Sequence, residues 1–254
     1  MQWSDKVVLI TGASSGIGRA LGVELARRGA AVGLLARRRD LLNEIVHEIA
    51  ANGGRALALP ADVTHADQVK AAACELRRKF GYIDLLVANA GIGGTTYAVD
   101  LCEKEVAQLI RINVLGVVNS VTAVTPHMIK RGSGHLVAIS SLAAYRGLPK
   151  SAAYCASKAA VSALFESLRI DLLHTGVDVS TIHPGFIKTP LTAGRKHMPY
   201  LMELDEAIDK IVWAIEKKKK SYSFPWQLTT IVRACMLLPI PIYDWIAERN
   251  SFRE

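Results

Sequence analysis

The residues best suited to chemistry are Tyr154 and Lys158, four positions apart in a segment whose apolar spacing is helical. Residues at that separation share one helix face, so a phenol and an ammonium can reach the same ligand. A free tyrosine ionises near pH ~10, too high for acid–base work at neutrality. A nearby ammonium stabilises the phenolate, and the pair can then exchange a proton with a substrate oxygen. Surface helices carry such pairs often, so the meaning of this one depends on what surrounds it.

A second feature is the run Thr11-Gly12-Ala13-Ser14-Ser15-Gly16-Ile17-Gly18 between the first apolar run and the first helical pattern. Glycines permit a tight turn and close approach to a pyrophosphate. The helix start adds unpaired N–H groups and the positive end of its dipole. At the first strand-to-helix junction of a βαβ unit, such a loop points to a dinucleotide. An acidic residue ending the second strand would bind a ribose 2′-hydroxyl and repel a 2′-phosphate. That strand instead ends Leu35-Ala36-Arg37-Arg38-Arg39. Guanidinium groups bind phosphate and stay charged. The expected cofactor is therefore NADP(H), with Arg37 as the foremost phosphate ligand and Arg38 and the Ser14 hydroxyl behind it. A solvated basic turn is the plainer alternative.

The elements that must position these groups follow a regular rhythm. Apolar runs at 6–10, 31–36, 55–59, 85–88, 136–139 and 177–182 read as buried strands. Helical patterns lie between or after them at 18–28, 41–51, 66–80, 103–130 and 152–174. Strict alternation implies a parallel sheet covered on both faces. No linker, repeat or composition break interrupts it. The predicted fold class is α/β: a single doubly wound Rossmann-type domain over 1–254, its parallel sheet flanked by helices. The cofactor half is about 1–135, the catalytic and substrate half about 136–225, and an apolar C-terminal extension about 226–254. Residues 189–202, with Pro190, Gly194 and Pro199, read as a long loop, of the kind that is either a functional lid or disordered, followed by a helix at 205–216.

Several motifs now stand in a fixed order: the glycine run, Asp62-Val63, Asn89-Ala90-Gly91, Asn113, Ser140-Ser141, Tyr154 with Lys158, and Pro184-Gly185. In these the sequence resembles the classical short-chain dehydrogenase/reductase family, to about Pro190. The resemblance implies interconversion of an alcohol and a ketone or aldehyde by hydride transfer. It implies cofactor contacts from Gly12, Ser14, Ser15, Gly16, Ile17 and Gly18. Asp62 and Val63 would hold the adenine, and Asn89, Ala90 and Gly91 would pack beside a cofactor ribose. Ser141, rather than its neighbour Ser140, would bond the substrate carbonyl. Tyr154 would donate the proton, and Lys158 would bind the nicotinamide ribose and lower the tyrosine pKa. Asn113 would position a water in the proton relay. Pro184, Gly185, Ile187 and Thr189 would hold the carboxamide. The resemblance also implies a homodimer or homotetramer. A cofactor-binding regulatory protein, or an epimerase or lyase on the same fold, is the alternative; the intact Ser141, Tyr154, Lys158 and Asn113 set favours redox chemistry.

Composition narrows the field further. Lys and Arg exceed Asp and Glu by 31 − 23 = 8 over 254 residues, which suits an anionic small molecule. Nucleic acid is not expected, because the basic residues are scattered without an aromatic stacking platform. Cys74, Cys102, Cys155 and Cys235 form no paired motif and read as reduced thiols of a cytoplasmic protein. His127, His135, His174 and His197 show no metal-ligand spacing, Cys155 reads as packing, and His183 as structural. Met1 to Asp5 lead directly into a strand, leaving no room for a signal peptide, and no run of eighteen apolar residues occurs.

The C-terminal end departs from the family pattern. Four lysines at 217–220 precede a Ser-Tyr-Ser-Phe-Pro segment in place of the usual closing strand. Leu228, Ile231, Val232, Cys235 and Met236 then recur at helical spacing before Pro239 and Pro241 break the helix. Similar tails in the family imply a lipid-like, apolar substrate. This tail is expected to complete the core, cover the substrate pocket or form a subunit contact. With the lysines beside it, peripheral contact with a membrane surface is a further expectation.

Overall fold

The computed structural model describes residues 2–195 and 197–249. Seven strands form one parallel sheet: β1 (Val7–Thr11), β2 (Ala31–Ala36), β3 (Arg55–Pro60), β4 (Leu85–Ala88), β5 (Gly134–Ile139), β6 (Val177–Pro184) and β7 (Ser221–Phe224). Their order is β3-β2-β1-β4-β5-β6-β7. Strand order reverses between β1 and β4, and in open sheets of this type ligands bind at the carboxyl ends on either side of that reversal.

Alternation along the strands builds two cores. Val8, Ile10, Val32, Leu34 and Val137 face one side, where α1 (Gly16–Arg27), α2 (Arg39–Ala51) and α7 (Leu204–Glu216) pack. Val7, Leu9, Leu35, Leu86 and Leu136 face the other, against α3 (Ala66–Phe80), α5 (Gly116–Arg131) and α6 (Ala152–Asp171). Burial on both faces is why these strands read as continuous apolar runs. The helical stretch Glu103–Arg131 is long and apolar enough to cross a membrane by length and composition. Its Val117, Val121, Val124 and Met128 are instead buried in the second core.

Three expectations need correction. The long helix over 103–130 is α4 (Glu103–Ile110) and α5 separated by a π-helical turn, Arg111–Leu115. The Ser-Tyr-Ser-Phe segment does pair as a strand: β7 runs parallel to β6, from Thr181 opposite Ser221 to Pro184 opposite Phe224. That pairing places the lysines and the apolar tail at opposite ends of β7. The basic cluster therefore does not adjoin the tail, and Lys218 instead pairs with Asp178 at 2.6 Å.

Beyond β7 the chain forms α8 (Trp226–Leu237) and α9 (Ile240–Arg249); residues 250–254 of the predicted extension lie outside the described residues. Pro239 and Pro241 end one helix and begin the next, since a proline costs nothing in a first helical turn. The Arg146 guanidinium stacks on the Tyr243 ring at 3.8 Å and donates to the carbonyls of Cys235 and Leu238. The Tyr243 hydroxyl donates to the Gly147 carbonyl. The two C-terminal helices are thereby fastened to the segment that follows Ser141.

Candidate active site

The turn after β1 leaves no room for a side chain at Gly12 or Gly18. Gly12 has φ +68°, and a Cβ there would stand 2.7 Å from the Cα of Ala90. A Cβ on Gly18 would stand 2.4 Å from the Gly12 carbonyl oxygen. Both distances fall inside van der Waals contact, so only glycine lets α1 start this close to the ends of β1 and β4. Asn89 locks the junction: its Nδ2 donates to the Thr11 carbonyl at 2.9 Å. The Thr11 hydroxyl in turn accepts from the main-chain N–H groups of Asn89 and Ala90, each at 3.1 Å.

Along this junction runs a groove of about 470 Å³, lined by Gly12, Ser14, Ser15, Gly16, Ile17, Arg37, Arg38, Asp62, Val63, Asn89, Ala90, Gly91 and Thr189. Its shape and chemistry fit a dinucleotide. The first turn of α1 opens onto it, and Ser15 at the helix start makes no side-chain capping bond, so main-chain N–H groups remain available for an anion. Arg38, rather than Arg37, is braced at its rim, donating to Ser14 Oγ at 2.8 Å and Ser15 Oγ at 3.1 Å. Arg37 lines the same groove and acts electrostatically on Asp62. Burial works to raise the Asp62 pKa, but bonds from the Thr64 N–H and hydroxyl, with Arg37 behind them, leave it below the ordinary carboxylate value.

A second cavity, of about 170 Å³, meets the groove at Ile17, Asn89, Gly91, Ile92, Thr189 and Leu191. Ser141, Tyr154 and Lys158 line it together. Tyr154 and Lys158 come from the first turns of α6, and the lysine Nζ sits 5.8 Å from the centroid of the tyrosine ring. Lys158 is buried and donates to the Ile139 carbonyl at 2.9 Å. Loss of hydration on burial pulls its pKa down to about 8. The two serines after β5 face different ways. Ser140 turns inward to the Lys158 carbonyl (3.1 Å) and the Ser162 hydroxyl (2.8 Å). Ser141 accepts from Ala143 N–H at 3.1 Å in the 3-10 turn Leu142–Ala144, which leaves its own proton for the cavity.

Asn113 lies in the π-helical turn, fully buried. Its Oδ1 accepts from Ile92 N–H at 2.8 Å, and its Nδ2 donates to Ile92 O and Ser157 Oγ, both at 3.0 Å. The side-chain amide thus joins the chain after β4 to α6. Pro184 ends β6, and Gly185, Ile187 and Thr189 follow it along the cavity. The loop beyond them is closed at its base by Lys188 N–H to Met202 O and Met202 N–H to Phe186 O, both 3.0 Å.

Sequence reasoning did not assign the other walls. Leu142, Leu148, Pro149, Leu191, Arg195, Leu228 and Val232 also line the cavity. For Leu228 and Val232 the signal was an apolar helix face whose partner the sequence does not name; a Cβ on Gly185 would come within 3.0 Å of Leu228. His183 is buried against Tyr145, ring centroids 4.9 Å apart, with Nε2 3.2 Å from Ser162 Oγ, as a structural residue would be. Among the described residues no three His, Cys, Asp or Glu side chains gather as a metal site.

Comparison with known proteins places this geometry. The family model for short chain dehydrogenase matches residues 6–199. An uncharacterised oxidoreductase of Myxococcus xanthus is 44% identical over 249 residues, covering 98% of each chain. A crystal structure of a short-chain type dehydrogenase/reductase from Mycobacterium marinum superposes with a TM-score of 0.81 at 28% identity, over 87% of this chain and 94% of that one. An alcohol dehydrogenase from Thermococcus sibiricus, in complex with 5-hydroxy-NADP, gives 0.77 at 30% identity, over 86% of this chain and 94% of that one.

Proposed function

The chain belongs to the short-chain dehydrogenase family of oxidoreductases, and on that premise we propose that it is an NADP(H)-dependent reductase of ketones or aldehydes with apolar chains, Tyr154 being its acid and base. One observation carries this reading: Ser141, Tyr154 and Lys158 converge on an apolar cavity where it opens into the dinucleotide groove. When bound there, a nicotinamide supplies or accepts hydride at the substrate carbon.

The protein's part is orientation and the proton. The Tyr154 hydroxyl gives its proton to the substrate oxygen as charge grows on it, and the Ser141 hydroxyl donates to the same oxygen. Lys158 keeps a positive charge beside the phenol and binds the nicotinamide ribose. Both amide hydrogens of Asn113 are engaged by protein, so its water-positioning role falls to its main-chain carbonyl. Arg38 and Arg37 bind the 2′-phosphate, Asp62 and Val63 the adenine, and the Pro184 to Thr189 segment the carboxamide. The walls from Leu142 to Val232 favour an apolar substrate. The whole chain is read as one domain, with α8 and α9 as part of its substrate half, self-associating as a homodimer or homotetramer.

The test is the decay of NADPH absorbance with aldehydes and ketones of increasing chain length, repeated with NADH. Turnover that rises with chain length and prefers NADPH is the expected result. Turnover of none of them would remove the reductase reading.

A further inference from the structure

The cavity beside Tyr154 has a mostly apolar wall, yet among the described residues two cationic side chains reach it, Lys158 and Arg195. Lys158 is accounted for by its bond to Ile139 and its place beside the phenol. Arg195 is not. It is half-buried, and among the described residues its guanidinium meets no carboxylate.

Its position is built rather than incidental. The Thr192 hydroxyl donates to Ile187 O at 2.6 Å and accepts from Thr189 N–H at 3.1 Å, and Arg195 N–H donates to Thr192 O at 3.3 Å. These bonds hold the loop so that the guanidinium reaches across to the opposite side: a Cβ on Gly93 would stand 3.5 Å from its Nη2. Cofactor phosphates are not its natural partner. Thr189 and Leu191 line both groove and cavity, whereas Arg195 lines the cavity and is absent from the groove.

A guanidinium drawn partly out of water without a counter-ion loses hydration that an anionic ligand restores. Its planar fork also matches a carboxylate through two parallel hydrogen bonds. We infer that the substrates of this site are apolar carbonyl compounds that also carry an anionic group such as a carboxylate, and that Arg195 binds that group. The inference rests on the reductase reading for the carbonyl, and on the cavity alone for the charge.

Octanoate and octanamide, equal in length and different in charge, separate the two. Each is titrated calorimetrically into the protein, with and without NADP+. Octanoate is expected to bind about tenfold tighter or more, as a charge-assisted bond allows. Arg195→Gln should bring the two affinities together, and Arg195→Lys should keep part of the difference, having the charge without the fork. Equal affinities in the wild type, or a ratio unmoved by Arg195→Gln, overturn the inference. So does an Arg195→Gln variant that loses as much NADP+ affinity as octanoate affinity, because the arginine would then serve the cofactor. Reduction of decanal and of 10-oxodecanoate by NADPH, with the same preparation, judges the reaction separately. Absence of both beside an intact binding ratio would remove the reductase reading and leave the anion site standing.

Discussion

The groove and the cavity share a boundary at Asn89 and Gly91 but are made from different materials. Main chain shapes the groove: Gly12 and Gly18 pressed against carbonyls and Cα atoms, Asn89 tied to Thr11, and an uncapped helix start. Side chains from distant segments shape the far wall of the cavity: Leu148 and Pro149 after β5, Leu191 and Arg195 after β6, Leu228 and Val232 from α8. The helices behind the two regions differ as well. Six residues of α7 are buried in the core, but only Leu228 and Thr229 of α8 and none of α9. A site made from backbone tolerates no substitution at its contact points and holds one ligand class. A site walled by side chains on a lightly buried segment can change its ligand without disturbing the fold.

Breaking the groove should have the largest effect on cofactor binding. Gly18→Ala forces a methyl to 2.4 Å from the Gly12 carbonyl, an overpacking that costs about 1–3 kcal/mol. NADPH affinity, measured by fluorescence titration, is expected to fall roughly tenfold to a hundredfold.

Acid should loosen the β5–β6 side of the sheet before the β1–β2 side. His135 on β5 and His183 on β6 are buried, and loss of hydration holds each imidazole down at about 4. An unfolded histidine titrates near ~6.5, so between that value and about 4 the unfolded chain binds more protons and stability drops as pH falls. Each ring contributes up to about 3 kcal/mol to this loss, complete only below pH ~4. Hydrogen exchange at stepped pH should therefore show β5 and β6 losing protection ahead of β1 and β2; simultaneous loss would mean these two rings do not govern acid stability.

Cofactor choice is the next smaller effect. Arg38→Ala removes the guanidinium that Ser14 and Ser15 brace, and the NADPH-to-NADH ratio of kcat/KM should drop about tenfold. Arg37→Ala should lower it less, and the reverse order would return the leading role to Arg37. The smallest effect belongs to the tail surface. Leu237 is 87% exposed, so Leu237→Ser should change stability by less than about 0.5 kcal/mol and leave the KM of a long-chain aldehyde unaltered. Val232→Ala, on the cavity side of the same helix, removes two half-buried methyl groups and should raise that KM about fourfold, as burial worth about 0.8 kcal/mol would.

These contrasts also explain what was legible from sequence. The glycine run, Asn89, Ser141 and the Tyr154–Lys158 pair are local patterns, each set by one element end, and the structure brings them to the same edge of the sheet. The alternation of apolar runs specified six of the strands. β7 was missed because Ser221 to Phe224 alternate polar and aromatic residues over only four positions, and its pairing depends on β6. The π turn at Arg111–Leu115 leaves the apolar period almost unchanged, so nothing in the pattern marks it. Arg38 rather than Arg37 meets the serine hydroxyls, a choice between neighbours that depends on how α2 begins. Val232 and Arg195 face the cavity only because chain far from Tyr154 folds back over it.

The central claim is that Tyr154 moves the proton in a reaction whose cofactor site is built separately from backbone. It is tested most directly by measuring kcat and NADPH affinity together in Tyr154→Phe, with whichever aldehyde or ketone the wild type reduces best. The ring still packs against the lysine, but the hydroxyl is gone. Proton transfer of this kind is worth about 10²–10⁴-fold, so kcat should fall by about a thousandfold while the NADPH dissociation constant stays within about twofold. A variant that keeps turnover within a few-fold of the wild type would contradict the account.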